Sequence, residues 1–184
     1  KGIKNKNLTK INGKPLIYFT IKEAKKCTKI TNYIVSTDSN KIKKVAEKYK
    51  ADVPFIRPRK FSKDNSTSAS ALKHALVESE KIFNKKFEYV IELMATNPLK
   101  SVIDINGVIN ILIKNNADSV IAVNQLFDHH PARIKKIVKG KIFDFAVKEK
   151  LESRRQDLKP NAFVRSGSIY AMSRKFVMDE KRYF

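Results

Sequence analysis

A chain of 184 residues with 42% hydrophobic content can bury one continuous core, so a single domain over 1–184 is expected. Its apolar runs span a few residues, as at 120–123, far below the roughly 20 needed to cross a bilayer, so no membrane partner is expected. A balance of 39 Lys and Arg against 18 Asp and Glu gives a net charge of +21 and raises a polyanionic partner, yet the lysines are spread over nearly every element, which marks compositional bias rather than a nucleic-acid surface.

Apolar residues recur at helical spacing in several segments and alternate with short β-rich runs, the pattern of a mainly parallel sheet covered by helices. The first helix is predicted over 14–26, with Pro15 in its first turn, where a missing N–H is harmless. Residues 33–36 follow as a strand. Asp38 or Ser39 can cap the next helix, whose Ile42, Val45, Ala46 and Tyr49 share one face before 53–56 returns to the sheet. A loop rich in Ser, Thr, Asp and Asn over 62–68 leads into a helix with Leu72, Ala75, Leu76, Ile82 and Phe83 as its buried stripe. Residues 89–94 are a short, mostly apolar run suited to a central strand. A helix over 102–113, with Ile105, Val108, Ile109, Leu112 and Ile113 inward, precedes a strand over 119–123. The pattern then changes, because 134–145 reads as two strands joined at Lys139-Gly140. Residues 163–172 resume β character, and 174–184 make a short helical end. The lone Cys27 has no partner for an internal disulfide and no apolar leader opens the chain, which fits a reducing cytoplasm.

Two features carry phosphate chemistry. The opening Lys1-Gly2-Ile3-Lys4-Asn5-Lys6-Asn7 sets lysines around a flexible glycine, where N–H and ammonium groups can surround a polyphosphate; a frayed basic terminus explains the same residues. Arg57-Pro58 ends a predicted strand, and ligands of open α/β sheets sit at the carboxyl ends of strands, so Arg57, Asp38 and Thr96 are expected to face one crevice. Arg57 also reads as a surface ion-pair partner and Ser68 as a helix cap. His129 and His130 are adjacent, a placement that rarely lets two imidazoles converge on one ion, and no metal ligand set is read from the sequence.

Further segments follow in order: Asn12-Gly13-Lys14-Pro15-Leu16, Ser36-Thr37-Asp38, Ile56-Arg57-Pro58, Thr96-Asn97-Pro98-Leu99-Lys100 with Asp104-Ile105 beyond it, His130-Pro131, Arg154-Arg155-Gln156-Asp157-Leu158 and Gly167-Ser168-Ile169-Tyr170. Together with the opening seven residues they resemble the acylneuraminate cytidylyltransferases, the CMP-sialic acid synthetases and their legionaminate and pseudaminate relatives. The resemblance covers nearly the whole chain. It implies a Rossmann-like three-layer α/β nucleotidyltransferase fold, with a mainly parallel sheet and a small β-containing dimerisation excursion over 126–165. It implies a reaction in which the anomeric hydroxyl of an acidic nine-carbon sugar attacks the α-phosphate of CTP and pyrophosphate leaves.

Carried onto this chain, the resemblance makes Lys1 and Lys6 catalytic holders of the triphosphate and gives Gly2, Asn7, Arg57, Ser68 and Thr96 to the nucleotide. Asn97, Arg133, Arg155 and Ser166 fall to the sugar, the two arginines reaching the neighbouring protomer of a homodimer, where a planar guanidinium suits a carboxylate. It also implies Mg2+ as cofactor. The family's Arg-x-Gly-Ser strand and its magnesium-holding Asp-x-Asp are expected to lie outside these residues, and Met94 and Ser166 stand where the family has glutamine and asparagine. Other readings fit the residues too: a CMP-KDO synthetase-like enzyme, a non-catalytic basic nucleotide- or nucleic-acid-binding module, or an inactive dimerising homologue. The 154–158 segment favours the nine-carbon acid, and the Phe and Tyr residues fall mostly on predicted core faces rather than among exposed lysines as stacking would require.

Overall fold

In the computed structural model, which describes residues 3, 5–63, 65–150 and 153–180, Asn12 and Gly13 turn the chain through φ of 47° and 75°. Positive φ at both central residues suits a two-residue hairpin. Here the turn joins β1 (Lys10–Ile11) to β2 (Lys14–Pro15) in antiparallel register. Pro15 therefore closes a hairpin and serves as N-cap, and the first helix, α1, runs Leu16–Lys26 instead of starting at Lys14. Its Leu16, Ile17, Thr20, Ile21 and Ala24 recur three and four apart and are buried. Ser39 caps α2 (Asn40–Lys48) by accepting from the Ile42 N–H at 3.4 Å, which settles the cap on Ser39 and leaves Asp38 ahead of it.

Segments 33–37 and 52–57 lie side by side in parallel, but they are bridged at isolated points, Ile34 to Asp52 and Thr37 to Ile56, rather than forming continuous strands. Pro54 supplies a physical reason, since it has no N–H to donate to a ladder. Thr67 caps α3 (Ser68–Phe83), its hydroxyl accepting from Ser70 N–H at 3.1 Å, so Ser68 opens the helix and is not its cap. Next come β3 (Tyr89–Leu93), α4 (Val102–Lys114), β4 (Ser119–Leu126) and, after the hairpin described below, a long strand (Ala162–Ser173) and a short helix (Arg174–Met178). The long strand lies between β3 and β4 and pairs antiparallel with β3, Tyr89 opposite Ser173 and Leu93 opposite Ile169. The α/β class stands, with antiparallel pairing inserted beside the parallel bridges.

Contacts divide the chain into two units, 1–122 with 167–184, and 123–166. In the first, Ile105, Val108, Ile109 and Leu112 of α4 pack with Cys27, Ile169 and Ala171. Fully burying such side chains contributes about 1.5–3 kcal/mol each. Ile113 is half exposed, because it sits one residue, about 100°, around the helix from Leu112. Ile82 is exposed for the same kind of reason, lying off the face that carries Leu76 and Ser79. A second cluster joins Ile17 and Ile21 of α1 to Ala46, Ala51 and Val53, with Val35, Tyr49 and Ala95 against it.

The second unit is built on β5 (Lys135–Val138) and β6 (Lys141–Asp144), paired antiparallel with Ile137 opposite Ile142. Lys139 and Gly140 both take positive φ at the expected turn. We number the long strand β7 and the helix after it α5. Among the described residues no helix is long and apolar enough to cross a membrane.

Candidate functional site

The bridge between Thr37 and Ile56 brings Asp38 and Arg57 to the carboxyl ends of neighbouring parallel segments, the edge at which open α/β sheets bind ligands. The Arg57 backbone N–H donates to Thr37 O at 2.8 Å. Its side chain donates from Nε to the Ser62 hydroxyl at 3.0 Å, and Nη2 stands 4.0 Å from the Asp38 carboxylate. Beneath this loop, the His74 ring of α3 packs between Phe55 and Phe61, with centroids at 5.4 and 4.7 Å. Burial, more than any charge, pushes the His74 imidazole below its usual range; Glu78 opposes this, while Arg57, Lys60 and Lys81 add to it.

The turn bearing Lys6 is a 3-10 helix over Lys6–Leu8 that packs against α1 and α2, entered through Asn5 at φ 54°. Lys6 is exposed and Asn7 half-buried. Asn7 Oδ1 and Ser36 Oγ are buried without a hydrogen-bond partner. Buried polar atoms are nearly always paired, so an unpartnered amide oxygen at this turn is an acceptor suited to an incoming N–H. Lys1 and Gly2 lie outside the described residues.

The third segment leaves the carboxyl end of β3. Met94 N–H donates to Ser168 O at 2.9 Å, Asn97 N–H donates to Met94 O at 3.2 Å, and Asn97 Oδ1 accepts from Leu99 N–H at 3.3 Å. Thr96 is exposed at the tip, next to Ala95, which packs on the α1–α2 cluster. Lys100 closes the segment from below: its ammonium, on a residue 5% exposed, donates to Thr20 Oγ1 at 2.8 Å, to Met94 O at 2.7 Å and to Asn97 O. The sequence places Lys100 at the end of the 96–100 segment but gives it no role, because one lysine among so many carries no mark of burial. Thr20 did carry a signal, being a hydroxyl on the apolar face of α1.

The segments bearing Lys6, Arg57 and Thr96 therefore abut one cluster of the first unit, that of α1, α2 and Val53. Ser68 lies exposed at the start of α3 and makes no cap bond. Ser166 lies on β7, two residues ahead of Ser168. An open depression lined by Glu88, Tyr89, Asn116, Arg174, Lys175 and Asp179 sits at the amino end of β3, away from this edge.

Within the second unit, Arg133 donates from Nη2 to Ser153 O at 2.9 Å and its Nε lies 3.4 Å from Glu149. Arg155 pairs with Asp128 at 2.8 Å and covers the Phe127 ring. His130 is buried, its Nδ1 accepting from Ala132 N–H at 3.3 Å and its Nε2 against Pro160 O at 3.0 Å, so both ring nitrogens are occupied. Among the described residues no group of three or more His, Cys, Asp or Glu could hold a metal ion.

A solved structure of CMP:2-keto-3-deoxy-manno-octonic acid synthetase complexed with CTP superposes with a TM-score of 0.68 at 15% identity, covering 95% of this chain and 69% of that one. The two chains thus share an α/β fold. The sequence model of the cytidylyltransferase family matches residues 1–175, and the chain belongs to that family. It is 31% identical to the CMP-N,N'-diacetyllegionaminic acid synthase of Campylobacter jejuni and 30% identical to the post-translational flagellin modification protein B of Campylobacter coli. Each match covers the whole of this chain and 77% of the relative.

Proposed function

We propose that the chain transfers CMP from CTP to the anomeric hydroxyl of a nonulosonic acid, a sialic acid or relative, with release of pyrophosphate. The observation that carries the reading is the gathering of the Lys6, Arg57 and Thr96 segments on one core, in a chain that matches its family from residue 1 to 175. In the step itself the anomeric oxygen bonds to the α-phosphorus, the bond from that phosphorus to its bridging oxygen breaks, and pyrophosphate leaves with the electron pair. The hydroxyl proton is released to solvent.

Positioning and charge neutralisation carry such a reaction. Lys1, Gly2 and Lys6 cradle the triphosphate, and their cations offset the charge that grows on pyrophosphate. Arg57 supplies a planar set of donors to the nucleotide. Asn7 Oδ1 accepts from the exocyclic amine of cytosine, which answers its lack of a partner. Thr96 and Asn97 form the floor beneath the ribose and the sugar. The described residues offer Mg2+ no cluster of three or more ligands.

Arg133, Arg155 and Ser166 meet the sugar in a homodimer, the arginines exchanging Glu149 and Asp128 for the substrate carboxylate. The support for a dimer is the apolar surface of the second unit, where Ile137, Ile142 and Phe145 are exposed. The reaction belongs in the cytoplasm, with which the unbridged thiol of Cys27 is compatible.

Pyrophosphate release from CTP, measured with N-acetylneuraminic, legionaminic and pseudaminic acids, tests the activity. Turnover with one of them supports it. Thermal stabilisation by a short oligonucleotide but not by CTP, lost with added salt, would instead favour a basic binding module.

A further inference from the structure

Lys100 is the one lysine or arginine buried among the described residues. Burying an ammonium is unfavourable unless it is fully hydrogen-bonded, and an apolar residue would fill the same space with less penalty. All three of its protons have an acceptor here: Met94 O and Asn97 O from the loop after β3, and Thr20 Oγ1 from α1. The two carbonyls bracket Ala95 and Thr96, so the ammonium closes a ring around the tip. The exit of the loop is fastened to the same helix, because Glu23 of α1 accepts from Val102 N–H at 3.0 Å.

We propose that Lys100 is a positioning residue of the nucleotidyl-transfer site, tying the 94–100 loop to α1 so that Thr96 and Asn97 are held at the carboxyl end of β3. The inference rests on the function proposed above, and it adds a determinant that touches no substrate. Burial pushes the ammonium down to about 8, so the cation predominates at pH 7. Glu23 is the nearby carboxylate on α1, and it is engaged with Lys26 and Val102 rather than with Lys100.

The test compares the wild-type chain with K100M, K100R and T20V by amide hydrogen exchange over 95–99 and by steady-state pyrophosphate release at temperatures where each variant is folded. K100M matches the aliphatic stem and removes the donors. Expected results are faster exchange over 95–99 and a fall of about tenfold or more in kcat/KM for the acid, from lost orientation, with a smaller change in KM for CTP. K100R restores a cation and recovers part of both, and T20V falls between.

Unchanged exchange in K100M, together with kcat/KM within about twofold of wild type, overturns the proposal. Should K100M not fold, T20V and K100R decide by the same two measurements. A wild-type chain that releases no pyrophosphate with any of the acids brings down the functional reading alone, and exchange over 95–99 then decides the anchoring role.

Discussion

The Arg57 guanidinium is tethered through Nε to the Ser62 hydroxyl at 3.0 Å, a bond that spans the turn between the second parallel segment and α3. Asp38, at 4.0 Å, stands at the outer limit of an ion pair. The tether therefore fixes the plane of the guanidinium more than it neutralises it. Hydrogen bonds to charged groups contribute roughly 1.5–3 kcal/mol, so Arg57→Ala is expected to weaken CTP binding by about 10- to 100-fold. Arg57→Lys should recover only part of this, because an ammonium lacks the planar fork. Calorimetric titration with CTP gives the comparison, and an unchanged Kd in R57A would remove Arg57 from the nucleotide site.

His74 links this loop to pH. An unfolded histidine titrates near 6.5, and burial between Phe55 and Phe61 lowers the folded value. Below about 6.5 the unfolded chain thus binds more protons than the folded one, and stability falls as pH falls. Urea unfolding at pH 7.5 and 5.5 should show a smaller acid loss in His74→Phe than in wild type. An equal loss in both would assign the acid sensitivity to other groups.

Much of this molecule could be read before it was seen, and the exceptions have identifiable causes. Helix existence followed the apolar spacing, as in α4, whose Ile105, Ile109 and Leu112 are buried as expected. Ile113 failed because an isoleucine-rich helix has more apolar positions than one face can bury. The hairpin at Lys139-Gly140 was legible from its turn, yet the like signal at Asn12-Gly13 was absorbed into a motif and its strands went unread. Arg57 and Thr96 stood out in the sequence because their neighbours form patterns. Lys100 and Thr20 act through a contact 80 residues apart in sequence, and no local spacing encodes such a contact.

The loop anchored by Lys100 runs straight into a reciprocal cap. Ser101 N–H donates to Asp104 Oδ2 at 2.8 Å, while Asp104 N–H donates back to Ser101 Oγ at 3.3 Å. Ser101→Ala should lower stability by about 1 kcal/mol. Leu112→Ala, at a fully buried position of the same helix, should cost about 2–5 kcal/mol. Denaturant midpoints for the two variants check the order of these effects, and a larger loss in S101A would mean that the cap also supports the loop before it.

Ile137 and Ile142 face each other across β5 and β6, and both are more than 70% exposed, at 74% and 71%. A cross-strand apolar pair left open on a two-stranded ribbon exposes surface whose burial would be favourable. If a second copy covers it, Ile137→Glu combined with Ile142→Lys should convert a dimer to a monomer in sedimentation equilibrium. CTP should still raise the melting temperature of that variant, because the Lys6, Arg57 and Thr96 segments belong to the other unit. Turnover of the acid should fall if Arg133 and Arg155 act in a neighbour's site as proposed. A wild-type chain that sediments as a monomer throughout the concentration range of the assay, while turning over the acid, would show that each chain completes its own site.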